Sequence, residues 1–305
     1  MTQATTPSRS SRTVRDVVKR AGSAVFRIIG SATAGSRPVP DFLLVGTKRG
    51  GTTSLYYDIL KLPQVIPLFP SAKRLPKANE TKGVHFFDSN FWRGERWYRS
   101  YMPSRSARRR AERAVGKRVI VGEASPYYLF HPLAAERAAA LVPDARIIVL
   151  LRDPVMRTYS HWKERRRSDA EPLEFAEALQ AEDARLAGEE KRLRDDPSYY
   201  SYAHEQQSYV TQSRYVRALR TWVELFGMEN ILVLASEAYY SDPASTMKTI
   251  AEFLGIDYAP MADAEHRNAA VGDGIDPQTR ERLASLFSED NAELEALIGR
   301  RLPWT

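Results

Sequence analysis

The segment that most constrains this chain is Gly46-Thr47-Lys48-Arg49-Gly50-Gly51-Thr52-Thr53-Ser54. It follows the apolar run Phe42-Leu43-Leu44-Val45 and leads into Leu55-Tyr56-Tyr57-Asp58-Ile59-Leu60, whose apolar residues recur at helical spacing. A strand, a glycine loop and a helix in that order bring free backbone N–H groups and a helix N-terminus to one spot, where open α/β sheets hold anions. Gly50 and Gly51 let the backbone approach a ligand closely, and the hydroxyls of Thr52 and Thr53 add donors. The spacing from Gly46 to Gly51 imitates a nucleotide-binding P-loop, but Thr52 stands where that loop carries its phosphate-gripping lysine. The cations are inside the loop instead, at Lys48 and Arg49. A glycine turn that binds nothing has the same spacing, so the reading needs support elsewhere in the chain.

That support lies at a second buried-strand signal, Ile147-Ile148-Val149-Leu150-Leu151, which runs directly into Arg152-Asp153-Pro154. An arginine at the end of a strand next to the glycine loop can clamp a second phosphate, and Ser160, two helical turns on, can point at the same anion. Taken alone, Arg152 and Asp153 equally suit a local ion pair capping a helix. Asp153 after an apolar run also matches the acid that holds magnesium in nucleotide kinases. An Mg-dependent nucleotide or small-molecule kinase with a modified P-loop is therefore the alternative. Val119–Gly122 and Ile231–Leu234 read as further buried strands, the latter preceded by a helical run through Tyr215, Leu219, Trp222, Val223 and Phe226. Continuous apolar strands alternating with helices predict an α/β, P-loop-like three-layer fold, a central parallel sheet flanked by helices. Residues 169–196 are charged, Ala-rich and without a strong apolar face, which suggests a surface excursion or lid. Arg105, Arg108, Arg109, Arg110 and Arg113 read as a solvated helix face.

Charge separates the chain into two parts. The net charge is +7, and residues 1–40 hold seven basic residues against the single acid Asp16, so residues 41–305 are close to neutral. We therefore read 1–40 as a basic, flexible tail and 41–305 as one domain, with nucleic acid not expected as a partner. In the tail, Val14, Val17, Val18, Ala21, Val25, Ile28 and Ile29 fall on one helical face, the pattern of an amphipathic helix that touches a membrane peripherally. Arg27 interrupts the longest apolar stretch, which argues against a spanning helix and against a signal peptide. Cysteine is absent, so disulfides, thiolate nucleophiles and Cys-based metal sites are excluded, as suits a cytoplasmic protein. The five histidines, His85, His131, His161, His204 and His266, lack metal-ligand spacing, and no metal is expected.

Together the two anion motifs resemble those of the sulfotransferases that use 3′-phosphoadenosine 5′-phosphosulfate (PAPS), especially the heparan-sulfate-type carbohydrate branch and its bacterial relatives. The resemblance runs from about Pro40 to Thr305. It extends through Lys82-Gly83-Val84-His85-Phe86-Phe87-Asp88, Gly122-Glu123-Ala124-Ser125-Pro126-Tyr127-Tyr128, Ser213-Arg214-Tyr215 with Leu219 and Trp222, Ile275-Asp276-Pro277, and the ending Phe287 to Trp304. It implies sulfuryl transfer from PAPS to a hydroxyl on a small-molecule or glycan acceptor, carbohydrate, glycolipid or glycosylated compound, without a metal. By the same resemblance the loop with Lys48, Arg49, Gly50, Gly51, Thr52 and Thr53 binds the phosphosulfate, and Arg152 with Ser160 binds the 3′-phosphate.

The departures are specific. The family's loop lysine, which contacts the bridging oxygen of the phosphosulfate, aligns with Arg49, and by the resemblance Arg49 and the adjacent Lys48 are expected to stabilise the leaving group. The glutamate that serves the heparan-sulfate branch as catalytic base is Gly83 here. His85, two residues on, is the candidate base because imidazole takes up a proton near neutrality; Glu123 and Asp88 are the alternatives. The family's basic loop near the C-terminal third aligns with Asn268-Ala269-Ala270, and Arg267 is the candidate to replace its contact with the 3′-phosphate.

Overall fold

A computed structural model describes residues 26–70, 82–260 and 274–305. Arg267 and the tail residues Val14 to Val25 lie outside the described residues. The described strands, β1 (Phe42–Gly46), β2 (Gly122–Ala124), β3 (Arg146–Leu151) and β4 (Ile231–Ala235), form one sheet in the order β2-β1-β3-β4 with every pairing parallel. Phe42, Leu43, Leu44 and Val45 are all 0% exposed because the sheet is covered on both faces. Leu43 and Val45 pack on one side with Ile147, Val149, Leu219 and Trp222. Phe42 and Leu44 pack on the other with Leu55, Ile148, Met247 and Ile250. A strand buried on both faces needs apolar residues at every position, which is why these runs show no alternation.

The second strand differs from the expectation. Residues 119–121 spend most of their backbone groups elsewhere: Ile120 donates to the Gln64 carbonyl (2.8 Å) and accepts from Ile66 N–H (3.0 Å), while Val121 donates to Asp41 Oδ2 (2.9 Å) and reaches β1 only through its carbonyl, which accepts from Phe42 N–H (3.3 Å). The ladder with β1 therefore begins at Gly122. The charged excursion folds as short helices Phe175–Gln180, Glu182–Leu186 and Glu189–Asp195, held by a small apolar contact of Phe175, Ala178 and Leu179 against Tyr159 and Trp162 and by buried carboxylates. Glu171 accepts from Arg185 (2.6 and 3.0 Å) and Tyr209 (2.7 Å), and Glu182 accepts from the N–H groups of Val210 and Thr211 (2.7 Å each). In the Arg-rich helix Arg105–Val115, Arg105, Arg109, Arg110 and Arg113 are exposed as expected, but Arg108 turns inward and donates to Asp41 Oδ2 (2.7 Å) and the Val39 carbonyl (3.0 Å).

The described end of the basic segment docks on this body. Residues 26–32 are helical, and the Arg27 guanidinium lies 3.8 Å from the Tyr101 ring centre while donating to Phe69 O (2.5 Å) and Ser100 Oγ (3.1 Å). Arg37 donates to the Met102 carbonyl. Ile28 and Ile29 point outward, 69% and 46% exposed.

Along the chain, β2 joins one side of β1 and β3 the other, so the strand order reverses at β1. The C-terminal ends of β1 and β3 open at that reversal, the place where parallel sheets of this kind bind ligands.

Candidate active site

The glycine loop leaves β1 and enters helix α1 (Thr52–Ile59) through Gly51, whose φ of 93° is left-handed. That conformation favours glycine at Gly51, and at Gly50 space requires it, because a Cβ there would stand 2.6 Å from the Leu150 carbonyl oxygen. Arg152 follows β3, and helix α2 (Pro154–Arg167) carries Ser160. These parts meet in a cleft of about 490 Å³ lined by Lys48, Arg49, Gly50, Gly51, Thr52, Thr53, Arg152 and Ser160, together with Lys82, Glu164, Arg165 and Tyr240. Arg49 donates from Nε to Ser160 Oγ (3.2 Å), and Arg152 donates to the Arg49 carbonyl (3.3 Å). Burial lowers the Arg49 pKa, as does the positive charge of Arg152, although Glu164 opposes both. Such a group gains by meeting an anion.

Asp153 does not take part in the cleft. Its Oδ1 accepts the N–H groups of Val155 (2.8 Å) and Met156 (3.4 Å), capping α2. The acid that suggested a magnesium-binding kinase is thus a helix cap, and the kinase alternative is not favoured.

A second cleft of about 370 Å³ adjoins the first, with Lys48, Lys82 and Pro126 lining both. Its other lining residues are Gly83, His85, Ala124, Tyr127 and Glu205. The His85 side chain is 40% exposed, and its Nδ1 lies 2.8 Å from Asp88 Oδ2. Burial would lower the imidazole pKa, but the Asp88 carboxylate and its hydrogen bond outweigh burial and raise it. Asp88 itself is buried and acts on the cleft through His85.

Glu123, an alternative base in the sequence, is placed differently. It is 0% exposed, and its carboxylate accepts from Val84 N–H (2.6 Å), Ser125 Oγ (3.0 Å), and the hydroxyls of Tyr98 and Tyr128 (2.9 Å each). It lines neither cleft and instead fixes the segment that carries His85, because Ser125 Oγ in turn accepts His85 N–H (3.0 Å). Position 83 has no room for a side chain: a Cβ would meet the Ala124 carbonyl at 2.3 Å and Ser125 Oγ at 2.7 Å.

Three residues placed at these clefts escaped the sequence reading. Lys82 donates to Thr53 Oγ1 (2.9 Å) and Thr52 Oγ1 (3.3 Å), and burial lowers its pKa to about 8. Its place in the Lys82–Asp88 motif was the available signal. Glu205 and Gln206, on helix α3 (Tyr202–Gln206), reach Lys48: Nζ donates to Glu205 Oε1 (3.0 Å) and Gln206 Oε1 (2.7 Å). Lys48 and Arg49 therefore point apart, the first to α3 and the second to Ser160. Beneath the loop, the fully buried Arg157 donates to the carbonyls of Lys48 (3.1 Å) and Tyr209 (2.9 Å) and to Gln212 Oε1 (2.8 Å).

Known proteins were compared with this geometry. The model of the sulfotransferase domain family matches residues 39–270. A sulfotransferase structure from Alicyclobacillus acidocaldarius aligns with a TM-score of 0.59 and 29% identity, covering 87% of this chain and 97% of that one. The membrane-associated sulfotransferase kil1 of Dictyostelium discoideum is 23% identical over 87% of this chain and 66% of its own length. The bifunctional heparan sulfate N-deacetylase/N-sulfotransferase 3 of Homo sapiens is 29% identical over 87% of this chain and 31% of its own. The chain thus spans less than two thirds of either curated relative.

Proposed function

The chain belongs to the sulfotransferase domain family, and from that premise we propose that it transfers a sulfuryl group from PAPS to a hydroxyl of a carbohydrate, glycolipid or glycosylated small molecule. One observation carries this reading: the loop cations, Arg152 and Ser160 line a single cleft that opens onto the His85–Asp88 pair. The donor set fits PAPS, since a loop whose glycine has no space for a Cβ lies beside hydroxyls and guanidinium groups suited to two separated anions. PAPS when bound supplies the activated sulfuryl group.

The residues of the chain do the rest. Arg49 and Lys82 neutralise the negative charge that grows on the leaving side, and Thr52, Thr53 and the loop amides hold the anion in place. Arg152 and Ser160 hold the second phosphate, with Arg267 as a further contact. With Nδ1 engaged by Asp88, His85 takes the acceptor proton at Nε2. Lys48, held by α3, spans the boundary between the clefts and fixes the loop against the acceptor wall, which modifies the leaving-group role expected for it. Incubating the full chain with labelled PAPS and a panel of hydroxyl acceptors tests the reading: sulfated product is expected. Phosphorylated product from ATP and magnesium with no PAPS requirement would overturn it.

We further infer a cytoplasmic enzyme of bacterial type that touches membranes peripherally through residues 1–40. The outward Ile28 and Ile29 support this, as does the name of the membrane-associated relative. Among the described residues no helix is long and apolar enough to cross a membrane. Co-sedimentation with anionic liposomes is expected for the full chain and not for a chain that lacks residues 1–25 and carries Ile28→Ser and Ile29→Ser. Equal sedimentation of the two would remove the tail from this role.

A further inference from the structure

Phe26 is where the described body meets the basic segment before it, in which Arg9, Arg12, Arg15, Lys19 and Arg20 stand against Asp16 alone. The surface beside that junction sets exposed apolar side chains among cations. Ile28 and Ile29 point outward from the helix of residues 26–32, and Trp92 stands 54% exposed on a single turn over Phe91–Arg93. One stack joins these points: Arg27 lies over Tyr101 (3.8 Å), Tyr101 meets Trp97 (4.9 Å between ring centres), and Arg93 lies over both Trp97 (5.2 Å) and Trp92 (4.3 Å). Arg96 ties the same two elements by donating to the Ser31 carbonyl (3.4 Å).

The fold itself displays Trp92. Its neighbour Phe91 turns inward, 5.4 Å from the Phe86 ring and 4.5 Å from the Arg137 guanidinium, and Gly94 with a φ of 79° turns the chain away, so the indole is left outside. Arg93 and Arg96 are exposed, and among the described residues neither pairs with a carboxylate; Glu95, between them, is paired with Arg99. Their charge is therefore open to an outside anion. An indole and two isoleucines among unpaired guanidinium groups suit the boundary of an anionic bilayer, where the apolar tips enter below the headgroups and the cations meet the phosphates.

Building on the peripheral-membrane reading, we propose that this face of the folded body, Trp92 with Arg93 and Arg96 beside Ile28 and Ile29, docks on an anionic lipid bilayer. Stable anchoring takes two signals, and the face adds the second to the basic segment. It also orients the body. Asn90, which starts the turn, donates to the His85 carbonyl (2.9 Å) and accepts from Arg93 Nε (3.0 Å), so the lipid-facing turn is bonded to the segment that lines the acceptor cleft.

The chain has no cysteine, so a single introduced one can carry a polarity-sensitive fluorophore. The full chain with Trp92→Cys, labelled there and mixed with vesicles of phosphatidylcholine and phosphatidylglycerol, should show blue-shifted emission. Lys248→Cys, labelled in the same way, should show none, because its helix (Pro243–Leu254) packs on the opposite side of the sheet from Trp97 and Tyr101. Without a label, Arg93→Gln combined with Arg96→Gln should weaken partitioning into the vesicles about 25-fold, about fivefold for each charge removed. Lys248→Gln should stay within about twofold of the wild type, since charges far from the surface are screened. If the full chain sediments with the vesicles while the Trp92→Cys label does not shift, the tail docks alone: the proposal falls and the membrane reading stands. Equal shifts at the two labelled positions would overturn the proposal as unoriented adsorption. A shift on raising protein concentration without vesicles would overturn it in favour of a second copy of the chain. If the full chain does not sediment, the membrane reading falls and the proposal with it.

Discussion

The proposed donor and acceptor ends of the cleft meet at Lys48 and Lys82, yet they are held by different means. At the donor end backbone geometry sets the positions: the glycine loop closes β1, Arg152 closes β3, and the pairing of these two strands fixes the span between them. At the acceptor end buried carboxylates set them: Asp88 holds His85, Glu123 anchors Val84 and Ser125, and Glu189 accepts from Ser201 at the start of α3. Strand pairing is indifferent to pH, whereas carboxylate networks titrate. Mutations and pH should therefore act differently on the two ends.

The largest expected effect is at the donor end. Arg49→Ala should lower kcat/KM for transfer from labelled PAPS by about 10³, the loss seen when one donor to a developing anion is removed. A loss below tenfold would assign the leaving-group charge to Lys82. His85→Ala should lower kcat by about 10² while 3′,5′-ADP affinity, read by calorimetry, stays unchanged. If that affinity fell in parallel, the separation of the two ends would break. Arg152→Ala should do the reverse, weakening 3′,5′-ADP about 10- to 100-fold through lost charge-assisted hydrogen bonds and sparing kcat at saturating donor.

Two pH experiments sharpen the contrast further. Asp88 holds the His85 pKa above its ordinary value against the opposing effect of burial, so kcat/KM should rise with pH as His85 loses its proton. Asp88→Asn should move that rising limb to lower pH. Lys82, lowered by burial to about 8, should give a falling limb near that pH as its charge is lost. Lys82→Arg should remove the falling limb, and its persistence would trace the limb to another group. The smallest effect is structural: Gly83→Ala forces a Cβ against the Ala124 carbonyl and should lower stability by about 1–3 kcal/mol, read as a drop in Tm.

The same division explains what could be read from the residues alone. The donor end is encoded in two short continuous stretches, 46–54 and 152–160, because a strand, a turn and a helix N-terminus are local features. β1, β3 and β4 were legible for the same reason, as unbroken apolar runs. β2 was not, since Gln64, Ile66 and Asp41 take the backbone groups of Ile120 and Val121, and no periodicity announces such partners. At the acceptor end Glu205 belongs to no recognisable motif, and its value comes from a contact with a residue 157 positions away. Glu123 misled because a carboxylate in a matching motif looks the same whether it faces a substrate or four hydrogen-bond donors in the core.

Arg157 bears on how this scaffold can be re-engineered. Among the described residues its guanidinium has no carboxylate hydrogen-bond partner, and its charge is spread over the Lys48 and Tyr209 carbonyls, Ser213, Gln212 and His161. Those partners come from the donor loop, from α2 and from the segment that closes the acceptor wall. A chimera that swapped the acceptor segment for one from another enzyme, to redirect which compound is sulfated, would sever this fivefold grip unless equivalents of Tyr209, Gln212 and Ser213 travelled with it. The transplantable unit is therefore longer than the acceptor wall itself: it extends through Ser213, to the threshold of the helix that begins at Tyr215.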